Sequence, residues 1–397
     1  MGKCKDQSLC DAIELQMAMN NSDGTIARYN TTISSLLRDP SCYVVDTDYL
    51  LERFWLVTVL GSALSIISMI ENIFLFAVFI RSRQHRNSSS LYLMLLALSD
   101  TFISGTYILI MSVKVLYQFT ESVYLKRMVV YLVPMMTMSH IAITTSSFLI
   151  VFATVERFCV TVSHQYVEFL QNNRKLIAIF AVFIGVVTKG TLLLEIIPVY
   201  DADCADTLNE YRLEVTALVI HNRHYKLWRF WFRNIVTIFF PFFTLMYLNA
   251  RIVNELRKNV YLGTQSNSPN GTIKSISTKQ RKARVRAATR TLVLVVSTYL
   301  LANMLNVIIT IWEHTDATSL FTSFLDFYII SVDAVSLLTI VACALRLPIY
   351  ASCQTLLRRE MLDFAKRIFT KTKPNEAAYL LDQNPEQHHN QICCTTK

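Results

Sequence analysis

Apolar residues in this chain are gathered into seven long blocks separated by polar connections. The blocks lie near 54–80, 90–116, 128–153, 176–198, 230–253, 289–312 and 325–350. Each reaches the length of about 20 residues that an α-helix needs to cross ~30 Å of hydrocarbon. Lipid offers no hydrogen-bond partners to a bare backbone, so such blocks must close their bonds internally, as helices. The expected fold is therefore all-α and membrane-embedded, a seven-transmembrane helix bundle over 54–353. The pattern then changes. In "LLRREMLDFAKRIF" Leu356, Leu357, Met361, Phe364, Ala365 and Ile368 share one face and the charges lie opposite. This predicts a short amphipathic helix over 354–369 on the membrane surface. Residues 370–397 have no apolar period and are expected to be disordered, while 1–53 form a polar, acidic leading tail. No internal repeat is visible, and no span is broken, which argues against a transporter or channel built from duplicated halves.

Composition agrees with this reading. The 397 residues are 53% hydrophobic and 17% charged, which is not the make-up of a soluble domain. A net charge of +9 raises the question of nucleic acid, but the excess sits in "RSRQHR" (81–86), "NNRKL" (172–176), "KQRKARVRAATR" (279–290) and "LLRRE" (356–360). These fall in alternate connections and the tail, so they predict a cytoplasmic side with the N-terminus outside, and no nucleic-acid partner. Attraction to anionic membrane lipid explains the same charges. Trp55, Trp228, Trp231 and Trp312 fall at the expected outer helix ends, where indole rings favour the headgroup level. "MGKCKDQSLCDAIELQ" lacks an uninterrupted apolar core, so the first span is expected to act as an uncleaved signal.

Sequons at Asn20 and Asn30 fit glycosylation of an outer tail, whereas those at Asn87 and Asn270 fall on the other side and read as chance. Of the cysteines, Cys4, Cys10, Cys42 and Cys204 lie outside, and four cysteines allow three pairings. Cys42 with Cys204 is favoured, because both lie close to the membrane and Cys4 and Cys10 are near neighbours. Cys353, Cys393 and Cys394 are candidates for palmitoylation, Cys353 being nearest the membrane. No nucleophile motif or metal-ligand spacing lies in any span, so no enzyme and no cofactor is expected.

Ionisable and amide side chains inside spans are functional candidates, because hydrocarbon makes them costly. The first block holds Glu71 and Asn72, the second Asp100, and the third Ser146 with Glu156 and Arg157 at its end. Lys189 and Glu195 occupy the fourth, on different faces, and the fifth opens with "WRFWFRN". The seventh contains Asp333 and, in its last third, Arg346.

Asn72, "LALSD" (96–100), "ERF" (156–158), Pro241 and "LPIY" (347–350) form an ordered series that resembles the rhodopsin-like, class A, G-protein-coupled receptors over about 54–370. "FFPFFTLMYLNARIV" and "LANMLNVII" further resemble invertebrate FMRFamide-type neuropeptide receptors. The resemblance implies an extracellular ligand, a heterotrimeric G protein as partner, and arrestin and a receptor kinase as regulators. It implies a switch at Glu156, Arg157, Phe158 and Tyr350, with Arg157 held at rest by its acidic neighbour. The third inner connection, with Thr264, Ser266, Ser268, Ser275, Ser277 and Thr278, is the expected region of regulatory phosphorylation.

It also implies a buried network of Asn72, Asp100 and Ser146, at the place where the family usually holds sodium. Arg346 stands where the family has asparagine. Its guanidinium has two readings: pairing with Asp100 in sodium's stead, or snorkelling to the inner interface.

Other departures bear on the ligand. Ser139 replaces the aspartate of amine receptors, Asn303 the usual tryptophan of helix six, and the expected helix-three cysteine near Leu132 is absent. Acidic patches then point to an amidated peptide ligand whose C-terminal arginine is held by Glu195, Glu313 or Asp333. Ser139, His140, Trp231, Arg233 and Asn303 complete the expected pocket. A chemosensory receptor for a small molecule would share every helix and differ only in this pocket.

Overall fold

The structure is a computed structural model that describes residues 49–81, 88, 90–120, 122–163, 166–204, 210–265 and 273–371. Asn20, Asn30, Cys4, Cys10, Cys42, Asn87, Ser266, Ser268, Asn270, Cys393 and Cys394 lie outside the described residues. The chain folds as seven helices long and apolar enough to cross a membrane. They are α1 Leu50–Arg81, α2 Ser90–Thr120, α3 Val130–Val162 and α4 Arg174–Glu195, then α5 Ile235–Lys258, α6 Arg286–Thr315 and α7 Leu325–Cys353. Between α4 and α5 runs an antiparallel hairpin, β1 Ile196–Tyr200 with β2 Tyr211–Val215, paired from Ile196↔Val215 to Tyr200↔Tyr211. A last helix, α8 Thr355–Lys371, follows α7. The two ends of the bundle are called here the hairpin end and the α8 end.

Several bounds differ from the apolar blocks. Ile196, Ile197 and Pro198 look like the end of the fourth block, yet they form β1. Two β-branched residues followed by a proline suit an extended segment better than a last helical turn. In the other direction the sixth helix begins at Ile273, so the basic stretch 279–290 is helical and continuous with the span.

The helices are apolar nearly all round. Ile66, Ile70 and Ile73 on α1 and Ile179, Phe180 and Phe183 on α4 are exposed, as expected of faces turned to lipid. Between the helices, small and polar contacts join a buried apolar core that includes Leu75, Phe79, Leu149, Leu245 and Val296. Ser65 donates to the Ser104 carbonyl at 2.5 Å, and Ser68 and Ser104 hydroxyls lie 2.8 Å apart, joining α1 to α2. Gly185 lets α4 press on α3, where an added Cβ would lie 3.0 Å from the Ile141 carbonyl oxygen. The most buried of the seven is α3.

Two prolines shape the helices beside the interior. Pro241 has no N–H for the α5 ladder, and the turn before it, Ile235–Phe239, is wound wider than an α-helix. Pro348 acts similarly in α7, which breaks at Leu345 between Leu325–Ala344 and Arg346–Cys353.

α8 buries Leu357 and Met361 against the bundle and sets Phe364 5.6 Å from Phe74, with the Arg81 guanidinium 5.9 Å above the Phe364 ring. Leu356, expected on the same face, is instead exposed.

Candidate functional site

Six helices, α2 to α7, enclose a cavity of about 370 Å³ in the half of the bundle nearer the hairpin. Its walls are mainly apolar, with Ile103, Met111, Met136, Val335 and Ile340 among them. The polar exceptions include Ser139, His140, Lys189 and Asn303. Thus three side chains expected in a ligand pocket, Ser139, His140 and Asn303, do line one cavity. Lys189, read from sequence only as an ionisable residue in a span, joins them.

The other expected pocket residues are placed elsewhere. Asp333 is buried and bound to Arg53 of α1, whose Nε donates at 2.6 Å to one carboxylate oxygen and whose Nη2 donates at 3.4 Å to the other. Glu195 is fully buried and takes a 2.5 Å bond from Arg233, with Arg229 Nε 3.1 Å away. Tyr225 and Thr191 also donate to Glu195, at 2.8 and 3.0 Å. Burial pushes the Tyr225 phenol above its usual value. Where a ligand's arginine was expected at Glu195 and Asp333, guanidinium groups of the chain itself stand in this structure.

Trp231 is half-exposed, its ring set edge-on to His314 at 5.0 Å, and does not line the cavity. Arg233 serves Glu195 rather than the cavity wall. Glu313 also lies off that wall.

Beneath the main cavity lies a second of about 20 Å³, room for one water, bordered by Ser146, Ser147, Tyr299, Asn303 and Arg346. Here the structure brings Arg346 to Asp100: Nη1 donates to Oδ2, and Nη2 lies 3.4 Å from the Ser146 hydroxyl. Asp100, Arg346 and Ser146 are all buried, and the snorkelling alternative is not what this geometry shows. Asn72 braces the adjoining backbone, donating to the Ser68 carbonyl at 2.8 Å and the Cys343 carbonyl at 3.3 Å. Tyr299 spans the floor, its hydroxyl 3.0 Å from that of Ser147. One turn beyond Arg346, Tyr350 is buried against Phe79, with ring centroids 6.4 Å apart.

At the α8 end, Glu156 is buried and its carboxylate is taken by Arg174, the first residue of α4, at 2.6 Å and 3.0 Å. The fork geometry of that pair is the strong form of an ion pair. The expected partner of Glu156, its neighbour Arg157, does not make this bond. Successive residues on a helix point about 100° apart, and Arg174 approaches on the face that Glu156 presents.

The sequence profile described as 7 transmembrane receptor (rhodopsin family) matches residues 71–345. The chain belongs to that family. The receptor is thus a multi-pass membrane protein that answers an extracellular ligand and acts on a G protein, and it is not an enzyme. No individually curated protein sequence matches it at a significant level. The matched segment contains Asn72, Asp100, Glu156 and Arg157.

Three arginines that organise the receptor's interior were not singled out by sequence: Arg53, Arg174 and Arg229. Each stands near a helix end, where long cationic side chains usually reach for water or lipid headgroups. Arg174 even lies in a stretch whose charge reads as mere orientation signal. Only the close approach of a second helix turns each one inward.

Proposed function

We propose that the receptor sits in the plasma membrane with its N-terminus outside, and that binding of an extracellular peptide in the hairpin half of the bundle activates a heterotrimeric G protein at the α8 end. The observation that carries this reading is the stacking of sites along one axis. The 370 Å³ cavity rests on the Tyr299–Ser147 contact. Below it come the Arg346–Asp100 pair and then Tyr350. A ligand that moves Tyr299 or Asn303 on α6 therefore acts on groups that also bear on α7. This is the kind of two-state element that couples distant sites.

Orientation is supported by the basic stretches 81–86, 172–176, 279–290 and 356–360, which lie in alternate connections and the tail and hold most of the lysine and arginine. Glycans on Asn20 and Asn30 and a Cys42–Cys204 disulfide belong to the same reading. The disulfide is supported by Cys204's burial and disulfide-bonded state. A peptide is supported by the FMRFamide-type stretches and by exposed acidic residues at the hairpin end, such as Asp316 and Asp326. Of the three carboxylates expected to hold a ligand arginine, Glu313 alone makes no ion pair among the described residues.

The test is expression in cultured cells with an amino-terminal epitope tag and a G-protein dissociation readout. The tag should be reachable by antibody on intact cells, and G-protein dissociation should rise when a peptide library is added. Arg157→Ala should abolish the response while leaving surface tag unchanged. An inaccessible tag, or a response untouched by Arg157→Ala, would sink the proposal. Arrestin and receptor-kinase recruitment would be read in the same cells after ligand addition.

A further inference from the structure

The charge of the cavity wall points to a ligand class. Among the described residues lining the cavity, Lys189 is the only lysine, arginine or carboxylate side chain, and it lies inside a membrane span, at the end of the α4 helical segment Arg174–Lys189. Among the described residues it makes no ion pair and no side-chain hydrogen bond. The carboxylate whose charge acts on it, Glu195, is already paired with Arg233 at 2.5 Å and Arg229 at 3.1 Å. Lys189, Arg229 and Arg233 thus oppose one carboxylate, and this corner of the bundle carries an excess of positive charge. A second buried cation stands nearby, behind the cavity wall: Arg233 is 8% exposed, and its Nε has no hydrogen-bond partner among the described residues.

An uncompensated cation in a largely apolar enclosure costs free energy that an incoming anion recovers. An apolar wall with one charge asks for a ligand of matching build. We propose that the cavity takes a ligand with an apolar body and one carboxylate, and that Lys189 is the counter-ion of that carboxylate. This rests on the receptor reading above and names the ligand class for it. The shared chemistry has two sources, a peptide with a free apolar C-terminus or a lipid-derived or aromatic acid. His140 and Asn303, on the same wall, are placed to offer polar contacts beside the charge.

The proposal is tested by thermal unfolding of purified full-length receptor in non-ionic detergent with matched acid and amide probes. These are 4-phenylbutyrate, dodecanoate and acetyl-Leu-Phe, each against its own amide. At least one acid should bind about tenfold more tightly than its amide, a difference of about 1.4 kcal/mol. The pair that responds identifies the source. Lys189→Gln should remove that preference, and Lys189→Arg should keep most of it. The proposal is overturned if no acid outperforms its amide on the wild type, a result that needs no variant to fold. It is equally overturned if the preference survives in Lys189→Gln. The receptor reading stands or falls separately, on G-protein dissociation in cells. A receptor that couples but prefers amides sinks only the ligand class, and acid binding without coupling sinks only the receptor reading.

Discussion

Arg346 and Asp100 show how a charge survives in the middle of a membrane protein. Each is almost wholly buried, and each would be untenable alone. Together they cancel, with Ser146 in reach of the second guanidinium nitrogen. Removing one partner leaves the other stranded. Asp100→Asn should therefore lower stability by about 3–5 kcal/mol, read as a drop in the unfolding midpoint of purified receptor. Adding Arg346→Asn to that variant should recover most of the loss; a double variant no better than the single would refute the pairing. Because a guanidinium occupies the carboxylate, agonist affinity should be the same in sodium as in an N-methylglucamine salt of equal ionic strength. Strong sodium modulation of agonist binding would contradict this.

At the scale of helices, contact depends on where the backbone can come close. Gly185 is such a place, since a side chain there meets the Thr145 hydroxyl and the Ile141 carbonyl of α3. Gly185→Leu should push α4 from α3 and cost about 1–3 kcal/mol or more, seen as reduced surface expression and a lower unfolding midpoint. Gly105→Ala is the natural control, because the nearest atom to its added Cβ is Met69 sulfur at 3.9 Å, an ordinary contact. Equal tolerance of both changes would mean that α3 and α4 are free to separate. Gly185 stands out in no pattern of the sequence, for a lone glycine in an apolar block reads as lipid-facing or packed with equal ease. Pro241 and Pro348 are legible in the sequence only as parts of a motif series, and the structure sets a widened turn of α5 beside the first and the break of α7 at Leu345 beside the second.

At the scale of the whole molecule, ion pairs tie helices together, both neighbours in the chain and its two distant ends. Arg53 and Asp333 close the ring between α1 and α7, and both are buried. Glu195 holds the end of α4 to the residues leading into α5, and Glu156 holds the end of α3 to the start of α4. Breaking the ring should be felt. Asp333→Asn is expected to destabilise the ligand-free receptor by about 3 kcal/mol, and the exchange Arg53→Asp with Asp333→Arg to restore part of it. If Asp333→Asn unfolds at the wild-type midpoint, the pair does not hold the ring. These ties also decide what is left for a ligand. With Glu195 and Asp333 neutralised from within, the cavity's own charge is that of Lys189.

Seven spans, their helical nature and the family were legible in the sequence, because lipid imposes length and apolarity on every crossing segment and the motif series keeps its order. The amphipathic α8 was legible for the same kind of reason, a local period that needs no partner to be read. Asp100 and Arg346 could be singled out as costly, since cost in hydrocarbon belongs to the residue itself. Beyond Arg346 with Asp100, which the resemblance offered as one of two readings, which carboxylate meets which guanidinium was not legible. Arg53 and Asp333 are 280 residues apart, and Glu156 bonds an arginine 18 residues on rather than its neighbour. A one-dimensional pattern carries the desolvation cost of each charge, but its compensation is a matter of angle and distance between helices. That compensation, and with it the sign of the charge left facing the cavity, was decided only by the packed bundle.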